Sequence, residues 1–272
     1  MRIYGLRAFW GLTLLFIAIS MGCSSSQKKS HKKVQGSYRF QSKDGVLHYV
    51  DFGGEDLPVL LLVHGSPGDY KALINIANEN RVKESFRPVL VDRPGYGETK
   101  IKKKMTVADQ ARLFSNLLDS LDADEAYLLG HSYGGAVVAE MLTLNNPKVK
   151  GALLLAPTLS PKHQKRKYYN YLAKGFSPVL SRGLASSNKE MWTLSKELES
   201  LQGRLNRIRV PVLMMHGEKD WLVPFATVKY CKEYFSNECL TVKELPEAGH
   251  FLPWKNKGEV LDALNELKTK CE

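Results

Sequence analysis

The sequence predicts an α/β fold, a mostly parallel sheet covered by helices on both faces, and three observations carry that expectation. Leu57–Val63 and Val149–Leu155 are almost unbroken apolar runs, and Val210–Met215 is a third. Such runs suit strands buried on both faces rather than strands with one wet side. Helical patterns alternate with them along the chain, which is the order that builds a parallel sheet. Two of the runs end in a turn rich in glycine and polar residues, His64-Gly65-Ser66-Pro67-Gly68 and His216-Gly217-Glu218-Lys219-Asp220.

The chain has 272 residues, enough for one large core or two modest ones. It is 43% hydrophobic and 25% charged, ordinary for a globular protein, and shows no internal repeat. Residues 1–22 read as a leader and not as part of the fold. Arg2 and Arg7 precede and flank Ala8–Ile19, an apolar run too short to span a bilayer comfortably. Gly22-Cys23-Ser24-Ser25-Ser26 follows and resembles the bacterial lipoprotein signal, in which the cysteine is lipidated and becomes the mature N-terminus. Gly22 fits that pattern, whereas Ser20 stands where the family usually has leucine. The resemblance implies lipid attachment at Cys23 and an exported, membrane-anchored lipoprotein, periplasmic or on the cell surface. Residues 23–35 are then a polar tether carrying Lys28, Lys29, Lys32 and Lys33.

The formal net charge is +11. Without the leader, which holds two basic residues and no acid, 37 basic face 28 acidic groups, or +9. A negative surface or an anionic ligand suits that balance. No zinc-finger spacing or aromatic-basic motif points to nucleic acid.

The domain proper runs from residue 36 to residue 272. Ser37–Ser42 and Val46–Phe52 alternate around Lys43-Asp44-Gly45 and predict a hairpin. The Leu57–Val63 strand follows, then a helix over Tyr70–Asn80, then a strand over Arg87–Val91 that closes in the Asp92–Thr99 turn. Lys102-Lys103-Lys104 is an exposed basic loop, and Thr106 caps an amphipathic helix over Val107–Leu121. Ala126–Leu129 is a strand and Gly135–Leu144 a helix. After Val149–Leu155 the rhythm breaks. Residues 160–209 are long, basic and aromatic, with two or three short helical patterns, and read as a lid over the C-terminal edge of the sheet. The Val210–Met215 strand, a helix over Phe225–Phe235, a strand over Leu240–Leu245 and a helix over Val260–Lys270 complete the chain.

Between the Ala126–Leu129 strand and its helix lies Gly130-His131-Ser132-Tyr133-Gly134, a G-x-S-x-G sequence in strand-to-helix context. A serine at the tip of so tight a turn sits in strained backbone, and Gly130 and Gly134 leave room for two chain segments to pass closely. The helix N-terminus behind it offers unpaired N–H groups.

His64-Gly65 after a buried strand, the Asp92–Thr99 turn, Gly130–Gly134, the Asp220 turn and Gly249-His250 occur in the order found in the α/β-hydrolase superfamily. Residues 36–272 resemble its lidded, serine-nucleophile type. The resemblance implies Ser132 as nucleophile, Asp220 as acid and His250 as base, with Glu218 the rival acid. It implies an oxyanion hole from the backbone N–H groups of Ser66 and Tyr133. His64 reads as structural, His131 is fixed in the elbow, His216 lies in the acid turn, and His31, His48 and His163 have no motif around them.

Serine at the elbow points to acyl transfer, with a carboxylesterase on small or medium acyl esters as first expectation. Cleavage of an activated carbon–carbon bond is an alternative. So is a proline-iminopeptidase-like amidase, although Ser66 departs from that family's His-Gly-Gly-Pro-Gly turn. A catalytically silent binding protein of the same fold is the non-enzyme alternative. Small-molecule esters or amides are the expected partners, and no cofactor and no metal is expected. Cys231 and Cys239 flank a helix-to-strand turn and could form a disulfide or remain thiols.

Overall fold

The structure, a computed structural model, describes residues 35–54, 56–163, 181–236 and 238–271. All of them fall in one unit, Lys32–Glu272. The leader, Cys23, the tether up to residue 34, and residues 164–180 of the expected lid lie outside the described residues.

Nine strands form one sheet among the described residues, in the order β1-β2-β4-β3-β6-β7-β8-β9, with β5 paired to β2. They are β1 (Gly36–Ser42), β2 (Gly45–Asp51), β3 (Val59–Val63), β4 (Arg87–Val91), β5 (Lys100–Ile101), β6 (Ala126–His131), β7 (Val149–Leu155), β8 (Val212–Gly217) and β9 (Leu240–Leu245). The β1–β2 hairpin and its junction with β4 are antiparallel, whereas β4 through β9 on that path are parallel. The apolar runs became central strands, as a two-sided core requires. Leu61 and Val63 pack on one face with Leu128 and Leu154, and Leu60 and Leu62 on the other with Leu129 and Leu153. That is the period-two alternation of a strand whose both faces are covered.

The helices are α1 (Ile74–Ala77), α2 (Asn80–Ser85), α3 (Val107–Ser120), α4 (Tyr133–Leu142), α5 (Arg182–Gln202), α6 (Ala226–Tyr234), α7 (Leu252–Lys255) and α8 (Lys257–Cys271). Thr106 and Asp109 make a reciprocal capping box at the start of α3, each side chain accepting from the other's backbone N–H. The expected helix over Tyr70–Asn80 is instead a 3-10 turn, Tyr70–Leu73, followed by α1, and the chain restarts as α2. The Asp69 carboxylate accepts from the Lys71 N–H and starts this segment as a tight turn.

The expected lid also differs. Its described part is dominated by one helix of 21 residues, α5, and not by several short ones. Leu194, Leu198 and Leu201 of α5 are at most 1% exposed and belong to the same core cluster as α3 and α4. Their i, i+4, i+7 spacing puts them on one helix face. The C-terminal half of the insertion is therefore core. The N-terminal half reaches the Asp92–Thr99 turn, where the Ser186 Oγ donates to the Gly95 carbonyl at 3.0 Å.

Cys231 and Cys239 form no disulfide. Cys231 is fully buried, and burial pushes its thiol up. The Cys239 Sγ donates to the Ile208 carbonyl at 3.4 Å.

Candidate active site

The elbow begins where β6 runs out at the C-terminal edge of the sheet. Ser132 has φ 55° and ψ −120°, a conformation that an L residue rarely adopts. The surrounding backbone is tight. A Cβ on Gly134 would lie 2.2 Å from the Val63 carbonyl oxygen, and one on Gly130 2.6 Å from the Gly134 carbonyl oxygen. Only hydrogen fits at these two positions. Ser132 is pinned by its main chain as well. Its N–H donates to the Leu155 carbonyl at 2.9 Å, and its carbonyl accepts from the N–H groups of Gly135 at 2.9 Å and Thr158 at 3.0 Å. Strain of this kind costs roughly 1–3 kcal/mol and survives only where neighbours over-determine the geometry.

The loop after β9 brings His250 to the same edge. The His250 Nδ1 and the Asp220 Oδ2 are 2.8 Å apart, so the imidazole donates from Nδ1 and keeps Nε2 as its acceptor. Asp220, from the turn after β8, also accepts from the N–H groups of Leu222 at 2.9 Å and Val223 at 2.8 Å. Burial pushes its carboxyl up. The hydrogen bond and charge of His250 and the Val223 N–H outweigh that and hold it below its ordinary value. The residue that meets His250 is thus Asp220, while Glu218 is exposed on the same turn.

His131 ties the two halves together. Its Nε2 donates to the His250 carbonyl at 3.0 Å, and the two rings lie 4.9 Å apart. The His250 ring therefore rests on the residue next to Ser132. Burial, and then the neighbouring His250, push the His131 ring down to about 3, so it is neutral at working pH.

The His64–Gly68 turn forms the opposite wall. A Cβ on Gly65 would lie 3.1 Å from the Ser132 Cβ, so this loop passes directly over the elbow. Ser66 follows it, and Tyr133 is the first residue of α4, where a backbone N–H has no intrahelical acceptor. The His64 Nε2 accepts from the Arg93 N–H at 3.1 Å, while its Nδ1 donates to the Gly65 carbonyl at 2.7 Å. Burial first, and then the Arg93 charge, hold the His64 ring neutral.

The sequence pattern did not reveal what fixes this turn. The guanidinium of Arg93, fully buried, donates to the carbonyls of His64 at 3.0 Å and Gly65 at 3.1 Å. It lies over the rings of Tyr96 at 4.7 Å and Tyr133 at 4.3 Å. Its counter-ion is Glu190 of α5, at 2.6 Å. The Glu190 Oε2 also accepts from the Ser66 hydroxyl at 2.6 Å and the Tyr96 hydroxyl at 2.7 Å. One carboxylate from the insertion thus holds both the arginine beneath the turn and the side chain of Ser66. His48, which had no motif around it, pairs through Nδ1 with the Asp92 Oδ2 at 2.7 Å and anchors the neighbouring turn.

The rim beside His250 is aromatic. Phe251, Trp254 and Trp221 are 46%, 43% and 68% exposed, and the Phe251 and Trp254 rings lie 5.9 Å apart. Among the described residues no group of three or more His, Cys, Asp or Glu side chains is arranged to hold a metal ion.

Residues 58–185 match the family model for the alpha/beta hydrolase fold, and residues 126–260 match the model described as serine hydrolase (FSH1). The chain is 35% identical over 252 residues to the 2-hydroxy-6-oxononadienedioate/2-hydroxy-6-oxononatrienedioate hydrolase 1 of Pseudomonas putida, covering 77% of this chain and 87% of that protein. It is 28% identical over 231 residues to the bifunctional esterase/perhydrolase DCH of Acinetobacter calcoaceticus, covering 68% and 82%. Among solved structures, the esterase EaEST from Exiguobacterium antarcticum superposes with a TM-score of 0.69 at 19% identity, covering 86% of this chain and all of that one. At that identity the likeness speaks for the fold.

Proposed function

The chain belongs to the α/β-hydrolase superfamily and is a hydrolase of the serine-hydrolase type, and from that premise we propose that it is a carboxylesterase on small or medium acyl esters. What supports the reading most is one arrangement. A strained Ser132 stands at a strand end, with the Asp220–His250 pair on one side and the Ser66 turn on the other.

In the proposed reaction the Ser132 Oγ attacks the ester carbonyl carbon while the His250 Nε2 takes its proton. Asp220 holds the imidazole by Nδ1 and stabilises the imidazolium. The tetrahedral oxyanion is held by the N–H groups of Ser66 and Tyr133. His250 returns its proton to the leaving alkoxide, which departs as alcohol. A water molecule, deprotonated by His250, then attacks the acyl-enzyme carbonyl. As the bond to the Ser132 Oγ breaks, His250 returns that proton to the Oγ and the carboxylic acid leaves. The exposed aromatic rim of Phe251, Trp254 and Trp221 suits an apolar acyl or alcohol group.

A panel of p-nitrophenyl acyl esters tests this with wild type and Ser132→Ala. The proposal requires turnover in wild type and its loss in the variant, with acetate to octanoate preferred over palmitate. Equal rates in the two proteins would sink it. The likeness to the Pseudomonas putida protein favours carbon–carbon bond hydrolysis as a second reading. Wild type that leaves every ester intact, yet cleaves a 2-hydroxy-6-oxo dienoate through Ser132, would select it.

We propose in addition that Cys23 is lipidated and tethers the enzyme to a membrane outside the cytoplasm. The Gly22-Cys23-Ser24 sequence after an apolar run supports this. Membrane association unchanged in Cys23→Ser would overturn it.

A further inference from the structure

A cavity of about 550 Å³ lies between the loop Lys100–Met105 and the first half of α5. Neither Ser132, Asp220 nor His250 lines it. Among the described residues its charge is nearly all of one sign: Lys100, Lys102, Lys103, Lys104, Arg182 and Lys189 against the one acid Glu190. That acid is already committed, because its carboxylate holds Arg93 at 2.6 Å. Of the cations, Lys103 has an acid nearby, with Asp44 at 3.9 Å. The Arg182 Nη2 donates to the Thr99 carbonyl at 2.5 Å and the Lys104 Nζ to the Thr193 hydroxyl at 3.2 Å. These contacts orient the two cations without neutralising them.

These six cations are exposed at the cavity mouth, so their mutual repulsion is screened by salt and an anion between them relieves it. A walled cavity of one sign also concentrates the field. The structure thus holds a cationic pocket whose volume suits a small molecule. We propose that this pocket binds a phosphate-bearing ligand. A carboxylate would neutralise one of these cations. A phosphate monoester carries about −1.5 to −2 charges at pH 7 and three strong acceptor oxygens, and so can meet cations from both walls at once. Ile101, Met105 and Pro94 supply apolar wall for the organic part of such a ligand. The phosphate can belong to a soluble ester or to a lipid headgroup. None of the three proposed catalytic side chains lines the cavity, although Tyr133 and Glu190, which border the Ser132 site, form part of its wall.

The test is calorimetric titration of inorganic phosphate and of glycerol 3-phosphate into the full chain. Proteins for comparison are wild type, Ser132→Ala, Lys102→Glu/Lys104→Glu, Lys189→Glu, and the charge-matched control Lys83→Glu/Lys229→Glu on exposed distant helix positions. Circular dichroism confirms that each is folded. The expected result is binding that is unchanged in Ser132→Ala and within twofold in the control. It should weaken at least tenfold in Lys102→Glu/Lys104→Glu and in Lys189→Glu. Equal weakening in the control, or no binding by wild type, would overturn the proposal. A second arm measures preference for phosphatidylglycerol over phosphatidylcholine vesicles. A preference lost in Lys102→Glu/Lys104→Glu and kept in the control identifies a lipid headgroup. Phosphate binding without that preference identifies a soluble ester.

Discussion

At the scale of single residues, the backbone of Ser132 is the informative feature. Its φ of 55° is held by three main-chain hydrogen bonds and by glycines on which no Cβ fits. Ser132→Ala keeps that strain and Ser132→Gly relieves it. Ser132→Gly is therefore expected to be more stable than Ser132→Ala by about 1 kcal/mol in urea denaturation. Equal midpoints would mean that the turn is not strained in solution. The elbow was legible in the sequence because strand, glycines and serine are contiguous. The Asp220–His250 pair was legible only through the order of motifs, because 30 residues separate its members. The Arg93–Glu190 pair was not legible at all. Its members stand 97 residues apart and carry no local pattern, and burial alone distinguishes Glu190 from the other acids of α5.

At the scale of elements, α5 changes the most. The sequence suggested short helical patterns where one long helix forms, and leucine spacing at 194, 198 and 201 would have revealed its continuous buried face. The N-terminal half carries Glu190 to Arg93, and the other half is core. Two predictions separate these roles. Leu198→Ala is expected to cost about 2–5 kcal/mol of stability, read by thermal or urea unfolding, because it opens a cavity in a closed core. Glu190→Gln is expected to lower kcat on a small p-nitrophenyl ester about tenfold with KM within twofold. The Ser66 turn then loses its charged anchor while the acyl-binding surface stays, and one lost oxyanion donor is worth about 2.7–4 kcal/mol at the limit. Unchanged kcat in folded Glu190→Gln would leave Glu190 a purely structural residue. β4, β7 and β9 have the bounds that their apolar or alternating patterns predict. Tyr70–Asn80 does not, because a local side-chain turn at Asp69 competes with the helix there.

At the scale of the whole molecule, the site is built from buried neutral histidines, and this sets the dependence of stability on pH. Burial, then Arg93, lowers His64. Burial, then His250, lowers His131, and burial lowers His216. Unfolded histidines titrate near 6.5. Below that pH the unfolded chain binds protons that these rings in the native state do not. Stability must therefore fall as pH falls below that value, by at most about 1.4 kcal/mol per pH unit for each ring that stays neutral in the native state. Asp220, held low, adds a further loss only below the ordinary carboxylate range. Urea midpoints at pH 7.5, 6.0 and 5.0 check this, and a flat series would contradict it. The covered parallel sheet was readable from the chain because both-sided burial writes continuous apolar runs. The cationic pocket was half readable, since Lys102–Lys104 stood out while its facing wall on α5 did not.

The central claim is that Ser132 is a nucleophile driven by His250. Mass spectrometry of the folded protein after a fluorophosphonate probe tests it most directly. The account predicts one phosphonyl adduct on Ser132, absent in Ser132→Ala and formed at least a hundredfold more slowly in His250→Ala. An adduct on another residue, or no adduct in a wild type that hydrolyses p-nitrophenyl acetate as fast as Ser132→Ala does, would contradict it.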